Sequence, residues 1–317
     1  MEIQGPAQRV VTITRPDHGP AMQINASEVK MAKTIGNPAS WTAQMFGRGS
    51  HSIGTGTSEL SGPDTDPIVL RDLTTADLRS ALSKGYQDFT ALRTDVIFIV
   101  LVYPVLGVLL TWFALNRDML PLVFPMMSGF AIVGPVAAVG LYEMSRRREA
   151  GQPAGWGDAF AVIASPSFLP IVVLGGYLAA LFIVWIFAAG TIYKLTLGPE
   201  TPQSLGVFVQ DIFGTSAGWT MLIAGMAVGF VFALAALAVT LVSFPLLIDR
   251  HVGLPRAVVT SVRVVRRSPV AALTWGLIVA LSLALGAATL FVGLIFVLPI
   301  LGHATWHLYR RAVEPRG

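Results

Sequence analysis

Residues 270–309 run for about 40 positions without an Asp, Glu, Lys or Arg, and no other feature limits the chain so tightly. One helix of that length would reach about 60 Å at 1.5 Å per residue, twice the roughly 30 Å hydrocarbon thickness of a bilayer. The block must therefore fold back, and the small residues of "LGAAT" at 285–289 suit a tight turn. It reads as two short helices, 270–286 and 289–309. Four further apolar blocks are each long enough for a single crossing: 96–115, 119–144, 168–193 and 219–248. The expected fold is all-α, with six transmembrane helices arranged as three hairpins.

Composition agrees. Only 13% of the residues are charged, against about a quarter in a soluble domain, and the mean hydropathy is +0.66. The chain has no cysteine, which excludes disulfides, thiolate metal sites and cysteine nucleophiles. A net charge of +4 would suggest nucleic acid in a soluble protein. In a membrane protein it matters more which loops hold the charge, and no nucleic-acid partner is expected.

Arg71, Arg79, Lys84 and Arg93 precede the first block, and Arg146, Arg147 and Arg148 follow the second. Arg250, Arg256, Arg263, Arg266 and Arg267 lie between the fourth block and the fifth, and Arg310, Arg311 and Arg316 close the chain. The opposite side holds only Arg117 and Lys194. The positive-inside rule then makes both termini cytoplasmic, as an even number of spans requires. Residues 1–70 are rich in Gly, Pro, Ser and Thr and read as a flexible cytoplasmic tail, followed by a membrane domain over 71–317. The opening residues have no apolar core of signal-peptide length, so no leader is expected. The triplet Asn25-Ala26-Ser27 has the form of a glycosylation acceptor, which a tail that stays inside would not use.

The sequence also looks repetitive. "PVAAVGLYEMSRRRE" at 135–149 aligns without a gap on "PILGHATWHLYRRAVE" at 299–314, matching Pro135 to Pro299, Tyr142 to Trp306 and Arg146-Arg147 to Arg310-Arg311. Each hairpin follows an amphipathic segment expected to lie at the membrane surface. The first, "LTTADLRSALSKGYQDFTAL", places Leu78, Leu82, Tyr86 and Phe89 on one helical face. The others are "GWGDAFAVIA" and "GLPRAVVTSVRVVRRSP".

The segments "RDLTTADLRSALSKGYQDF", "GPVAAVGLYEMSRRREAG", "LLIDRHVGLPRAVVTSV" and "LPILGHATWHLYRR" together resemble DUF2189, a family of predicted integral membrane proteins found largely in proteobacteria. The resemblance covers about residues 70–313, and the ending is its most specific motif. It implies a six-span bacterial inner-membrane protein, with no established activity to carry over. Some members have borne an oxidase-subunit label, which the residues here can test.

His303 and His307 stand four apart, so a shared metal or haem is geometrically conceivable. A metal site needs three or four ligands, and the remaining histidines are His251 in a loop and His18 and His51 in the tail. An oxidase core needs histidines at mid-membrane on several helices, which this chain lacks. The two histidines read instead as a helix end at the interface beside Trp306 and Tyr309, and no metal or cofactor is expected. Arg146, Arg147, Arg266, Arg267, Arg310 and Arg311 are candidates for docking anionic lipid headgroups or a protein partner, beside their role in setting topology. Glu143, Asp249 and Arg250 sit at the rims of spans and read as structural ion pairs in reach of water. No ionisable residue falls in the middle of a span, so a proton relay has no obvious carrier. Pro104, Pro121, Pro125, Pro135, Pro170, Pro245 and Pro299 fall in or near spans, and "FPMMSGFAIVGP" at 124–135 is the best candidate for a broken substrate-binding helix. Close helix packing is the alternative role of that stretch, and Met126-Met127 has no further Met or His motif to make a copper site.

These readings lead to one expectation: a non-enzymatic inner-membrane protein, acting as an accessory or assembly subunit of a larger membrane complex. The alternative is a carrier or channel for a neutral or lipidic solute. An enzyme would require His303, His307, Glu143 and Asp249 to converge on a polar pocket.

Overall fold

The computed structural model describes residues 66–100 and 119–315, with isolated positions before and between them. Most of the tail, including His18, His51 and the Asn25 triplet, lies outside the described residues, as does most of the first expected span. The described residues form helices and turns, and their one extended pairing is an isolated antiparallel bridge between Leu70 and Val313.

Helix α1 spans Thr75–Val100. Thr74 and Asp77 start it with a reciprocal capping box: the Asp77 carboxylate accepts from the Thr74 amide at 3.0 Å, and the Thr74 hydroxyl accepts from the Asp77 amide at 3.3 Å. A 3-10 turn, Leu120–Leu122, leads into α2 (Val123–Ala137) and α3 (Val139–Glu149). Pro135, which has no amide proton, precedes the break between them at Ala138. A short helix α4 (Trp156–Ala159) and a further 3-10 turn precede α5 (Phe168–Thr196). Then follow α6 (Leu205–Gly214), α7 (Ser216–Thr240), α8 (Ser243–Asp249), α9 (Leu254–Arg267), α10 (Pro269–Ala288) and α11 (Leu294–Ala312).

Among the described residues, four stretches are long and apolar enough to cross a membrane: Leu120–Glu149, Phe168–Thr196, Ser216–Asp249 and Pro269–Ala288. The last uncharged block does fold back, but its turn occupies residues 289–293, so α11 starts five residues later than the spacing suggests. Leu290 and Phe291 hold φ at 53° and 66°, and Gly286 meets Gly293 where the two helices leave the turn. Helix α11 has 19 residues and a polar second half, and it is not one of the four apolar stretches.

The amphipathic reading of α1 needs one correction. Leu78, Ala81, Gly85, Asp88, Phe89 and Leu92 form the buried face, and Tyr86 is 57% exposed. The reason is Gly85: a Cβ there would stand 2.6 Å from the Ala304 amide nitrogen and 2.7 Å from the Ile300 carbonyl oxygen. The smallest side chain thus sets the register of α1 on α11, and the largest turns outward. In α9 the buried stripe is Ala257, Thr260, Ser261 and Val264, at helical spacing.

The most tightly packed part of the core sits at one end of the spans, where α1, α3, α8, α9 and α11 meet. Asp64 and residues 66–73 lie across that end as a strap. The Asp64 amide donates to the His251 carbonyl at 3.2 Å, Arg256 donates to the carbonyls of Asp64 and Asp66, and the Leu73 amide donates to Ser268 Oγ at 2.9 Å. Arg71 pairs with Glu314 at 2.9 Å and Arg267 with Asp72 at 2.5 Å. The last residues of the stretch read as tail are therefore pinned to this end of the protein.

Candidate functional site

Three helices bring a polar cluster together inside that end. Gly85 lets α1 approach α11 closely, and this places Asp88, one turn further along, beside His307. Ser145 of α3 points into the same space. Asp88, Ser145, His303 and His307 are all buried, Ser145 and His303 completely.

The hydrogen bonds form one proton order around an ionised Asp88. Asp88 Oδ2 lies 2.7 Å from Ser145 Oγ and 2.8 Å from His307 Nε2, and Arg148 Nε stands 3.4 Å from Oδ1. Burial pushes the Asp88 carboxyl up, but the hydrogen bonds from His307 and Ser145 outweigh it and hold the group below its ordinary value. An ionised Asp88 can only accept, so Ser145 and His307 donate to it. A serine has a single proton, so Ser145 must accept from His303 Nδ1, 2.7 Å away. The chain runs from His303 through Ser145 to Asp88, with His307 donating from the other side.

This connectivity is not that of a hydrolytic triad. There a histidine sits between the serine and the acid, taking the serine proton while the acid orients it. Here the serine sits between histidine and acid, donates a hydrogen bond to the acid, and is fully buried. The cluster ties α1, α3 and α11 together. Among the described residues, no group of three or more His, Cys, Asp or Glu is arranged to hold a metal ion.

A second network lies beside it. Glu143 is buried and accepts from Arg146 Nε and Nη2, both at 2.7 Å, and from Arg147 Nε at 3.1 Å. Arg147 reaches on to Asp158 at 2.6 Å. Tyr309 donates to Asp249 at 2.5 Å, Trp306 donates to Glu149 at 2.9 Å, and Arg310 pairs with Glu149 at 3.1 Å and Asp249 at 3.6 Å. Arg250 is buried and donates to the Glu314 carbonyl at 2.5 Å.

Of the six arginines singled out for docking, Arg146, Arg147, Arg267 and Arg310 are held by carboxylates. Arg311 stands 3.9 Å from Asp77 and donates to Ser80 Oγ at 3.2 Å, and Arg266 is exposed. Glu143 is packed inside rather than open to water, because two guanidinium groups replace its hydration. His303 and His307 are buried, since α1 covers them. His251 lies apart, 3.1 Å from Ser167 Oγ. The stretch 124–135 is a packing surface, with Phe182 seated on Gly129 and Trp185 donating to the Pro125 carbonyl at 3.1 Å.

Sequence reasoning misses Asp88 and Ser145. The signal for Asp88 was present, an acidic residue in register with Ala81, Gly85 and Leu92 on an otherwise apolar face. Ser145 gives none, being one hydroxyl in a run of polar residues.

Comparison with known proteins adds a family. Neither the curated proteins nor the solved structures yield a match. The model of DUF2189, described as a predicted integral membrane protein, matches residues 123–249. The match is narrower than the resemblance seen in the sequence and leaves out α1 and the "GHATWHLYRR" ending. It takes in α2 to α8, Ser145 of the cluster, and three of the four apolar stretches save the first three residues of one, and over residues 123–249 the chain is similar to this family of predicted integral membrane proteins.

Proposed function

We propose that the protein is a non-enzymatic accessory or assembly subunit of a larger complex in a bacterial inner membrane. It crosses the membrane six times, with both termini and the Asp88 cluster on the cytoplasmic side. The positive-inside distribution supports this orientation, and the basic residues at that end face anionic headgroups.

The observation that carries the partner reading is helix α7. Only Gly218, Ala236 and Thr240 of its 25 residues are buried, and they lie at its two ends. Between them Trp219, Ile223, Met226, Phe230 and Leu234 form an exposed apolar ridge along one face. Val228, Phe232, Leu237 and Val239 hold the other face to the core, and the ridge is left as a lateral surface where a second membrane protein can settle. The order of the polar cluster supports a structural role, because Ser145 is placed to hold helices together rather than to attack a substrate.

A photo-crosslinker at Met226, used in the native membrane, tests the reading. The expected product is an adduct with one discrete second protein, reduced when the probe is moved to the buried Ala236. If only lipid adducts form, and mild detergent releases the chain alone, the proposal falls.

A further inference from the structure

At the opposite end of the spans lies α6, a ten-residue helix that the charge pattern of the sequence does not announce. Ser204 caps it, accepting from the Val207 amide at 3.2 Å. Ten residues reach about 15 Å, half a bilayer's hydrocarbon thickness, so α6 cannot cross. It packs against the start of α7 and beside the 3-10 turn Leu120–Leu122, where another apolar stretch begins.

Its position is rigidly defined. Only Thr215 separates α6 from α7, and Thr215 caps α7, its hydroxyl accepting from the Gly218 amide at 2.9 Å and donating to the Asp211 carbonyl at 2.7 Å. A Cβ on Gly218 would stand 2.2 Å from that carbonyl oxygen, so the last turn of α6 is folded directly onto the first turn of the span. Helix α6 therefore cannot leave the level at which α7 enters the membrane.

The faces of α6 are unequal. Phe208 turns inward and meets Tyr193 edge-on, with ring centroids 6.1 Å apart. Leu205, Val209 and Phe213, four residues apart, share a face and are each 45–57% exposed. Gln210 and Asp211 lie off that face. Two aromatics at the neighbouring span ends keep a polar tip satisfied beside apolar surroundings: Trp219 Nε1 donates to the Phe213 carbonyl at 3.1 Å, and Tyr193 Oη to the Glu200 carbonyl at 2.6 Å. Amphipathic rings of this kind gather at the membrane–water boundary.

We infer that α6 is an interfacial anchor, lying in the plane of the bilayer at the end away from the Asp88 cluster, with Leu205, Val209 and Phe213 set into the lipid at the boundary of headgroups and acyl chains. The inference needs only that α7 crosses the membrane and is independent of any partner on its ridge.

The absence of cysteine makes the test direct. Val209→Cys, Phe213→Cys and Gln210→Cys are introduced singly into the full-length protein, spin-labelled, and reconstituted in vesicles of phosphatidylcholine and phosphatidylglycerol. Collision with oxygen, which concentrates in lipid, is compared with collision with a water-soluble nickel chelate. The labels at 209 and 213 should favour oxygen several-fold over nickel relative to the label at 210. Two results overturn the inference: equal nickel access at all three positions places α6 in water, and protection of 209 and 213 from both reagents places them against protein. Because all three sites are partly or largely open, the substitutions do not depend on repacking the core, and failure here leaves the Met226 crosslink unaffected.

Discussion

Helices α5 and α11 are both uncharged until their last turn, yet they are used in opposite ways. In α5 the apolar surface faces outward: Val172, Val173, Tyr177, Ile183, Val184 and Phe187 are exposed, while Leu174, Leu178 and Trp185 hold it to its neighbours. In α11 nearly everything from Pro299 onward is buried, including two histidines, a tryptophan and a tyrosine. In water, apolar burial drives folding, and polar groups stay outside. A bilayer removes that driving force between spans, because lipid is as apolar as the side chains, so packing and hydrogen bonds decide. The more polar helix is thus the better buried one, and stability should be concentrated in the Asp88 end of the molecule.

The sharpest way to break that contrast is Asp88→Ala. It leaves Ser145 and His307 without their common acceptor and Arg148 without its nearest carboxylate. Leaving two buried donors without their acceptor costs about 1–3 kcal/mol each, so a large loss of thermal stability in detergent is expected. The pH dependence follows from the lowered carboxyl. A carboxyl held below its ordinary value contributes stability that is full above that value and disappears as the pH falls through the lowered one. The carboxylate's part of the difference between the parent and Asp88→Asn should therefore shrink below about pH 4. A difference that failed to shrink there would mean that the charged carboxylate is not what the cluster holds.

Gly85→Ala comes next. Its Cβ would collide with backbone atoms of Ala304 and Ile300, which cannot move without shifting α11. Overpacking of this kind costs about 1–3 kcal/mol. The same change at Gly176 of α5, where an added Cβ would meet no atom within 4 Å, should be close to neutral in the same melting assay.

These two residues also show what the sequence can reveal. Span lengths are legible because crossing a fixed thickness needs a fixed run of apolar residues, and the fold-back within 270–309 follows from the same arithmetic. The partners of polar residues are not. His303 and His307 look like an uncovered helix end until Asp88 arrives from a helix more than two hundred residues away in sequence, at a contact made possible by a glycine. The docking arginines look free for the same reason, since nothing local indicates that Glu149 will hold Arg310 or that Asp72 will hold Arg267. Helix α6 escapes notice because its apolar residues are too few for a span.

The starts of α5 and of α1, the helix that covers α11, give a smaller effect. Thr74→Ala removes the hydroxyl that accepts the Asp77 amide, and with it the start of α1, at about 1 kcal/mol. At the start of α5, Ser167 makes no such cap and instead donates to the Leu247 carbonyl at 2.5 Å. Thr74→Ala should therefore raise amide exchange in the first turn of α1, whereas Ser167→Ala should loosen the contact between α5 and α8 and leave the first turn of α5 unchanged.

The smallest effect is the most exacting test. Phe187 of α5 is 71% exposed, and as an aromatic side chain it would be a costly loss in any soluble core. If its surroundings are lipid or detergent, Phe187→Ala exchanges one apolar contact for another and should shift stability by no more than about 0.5 kcal/mol. Measured beside Asp88→Ala in the same detergent, it sets a large apolar truncation with little consequence against a small polar one with great consequence. A loss of several kcal/mol at Phe187 would mean that this face of α5 is packed against protein, and the contrast between the two helices would disappear.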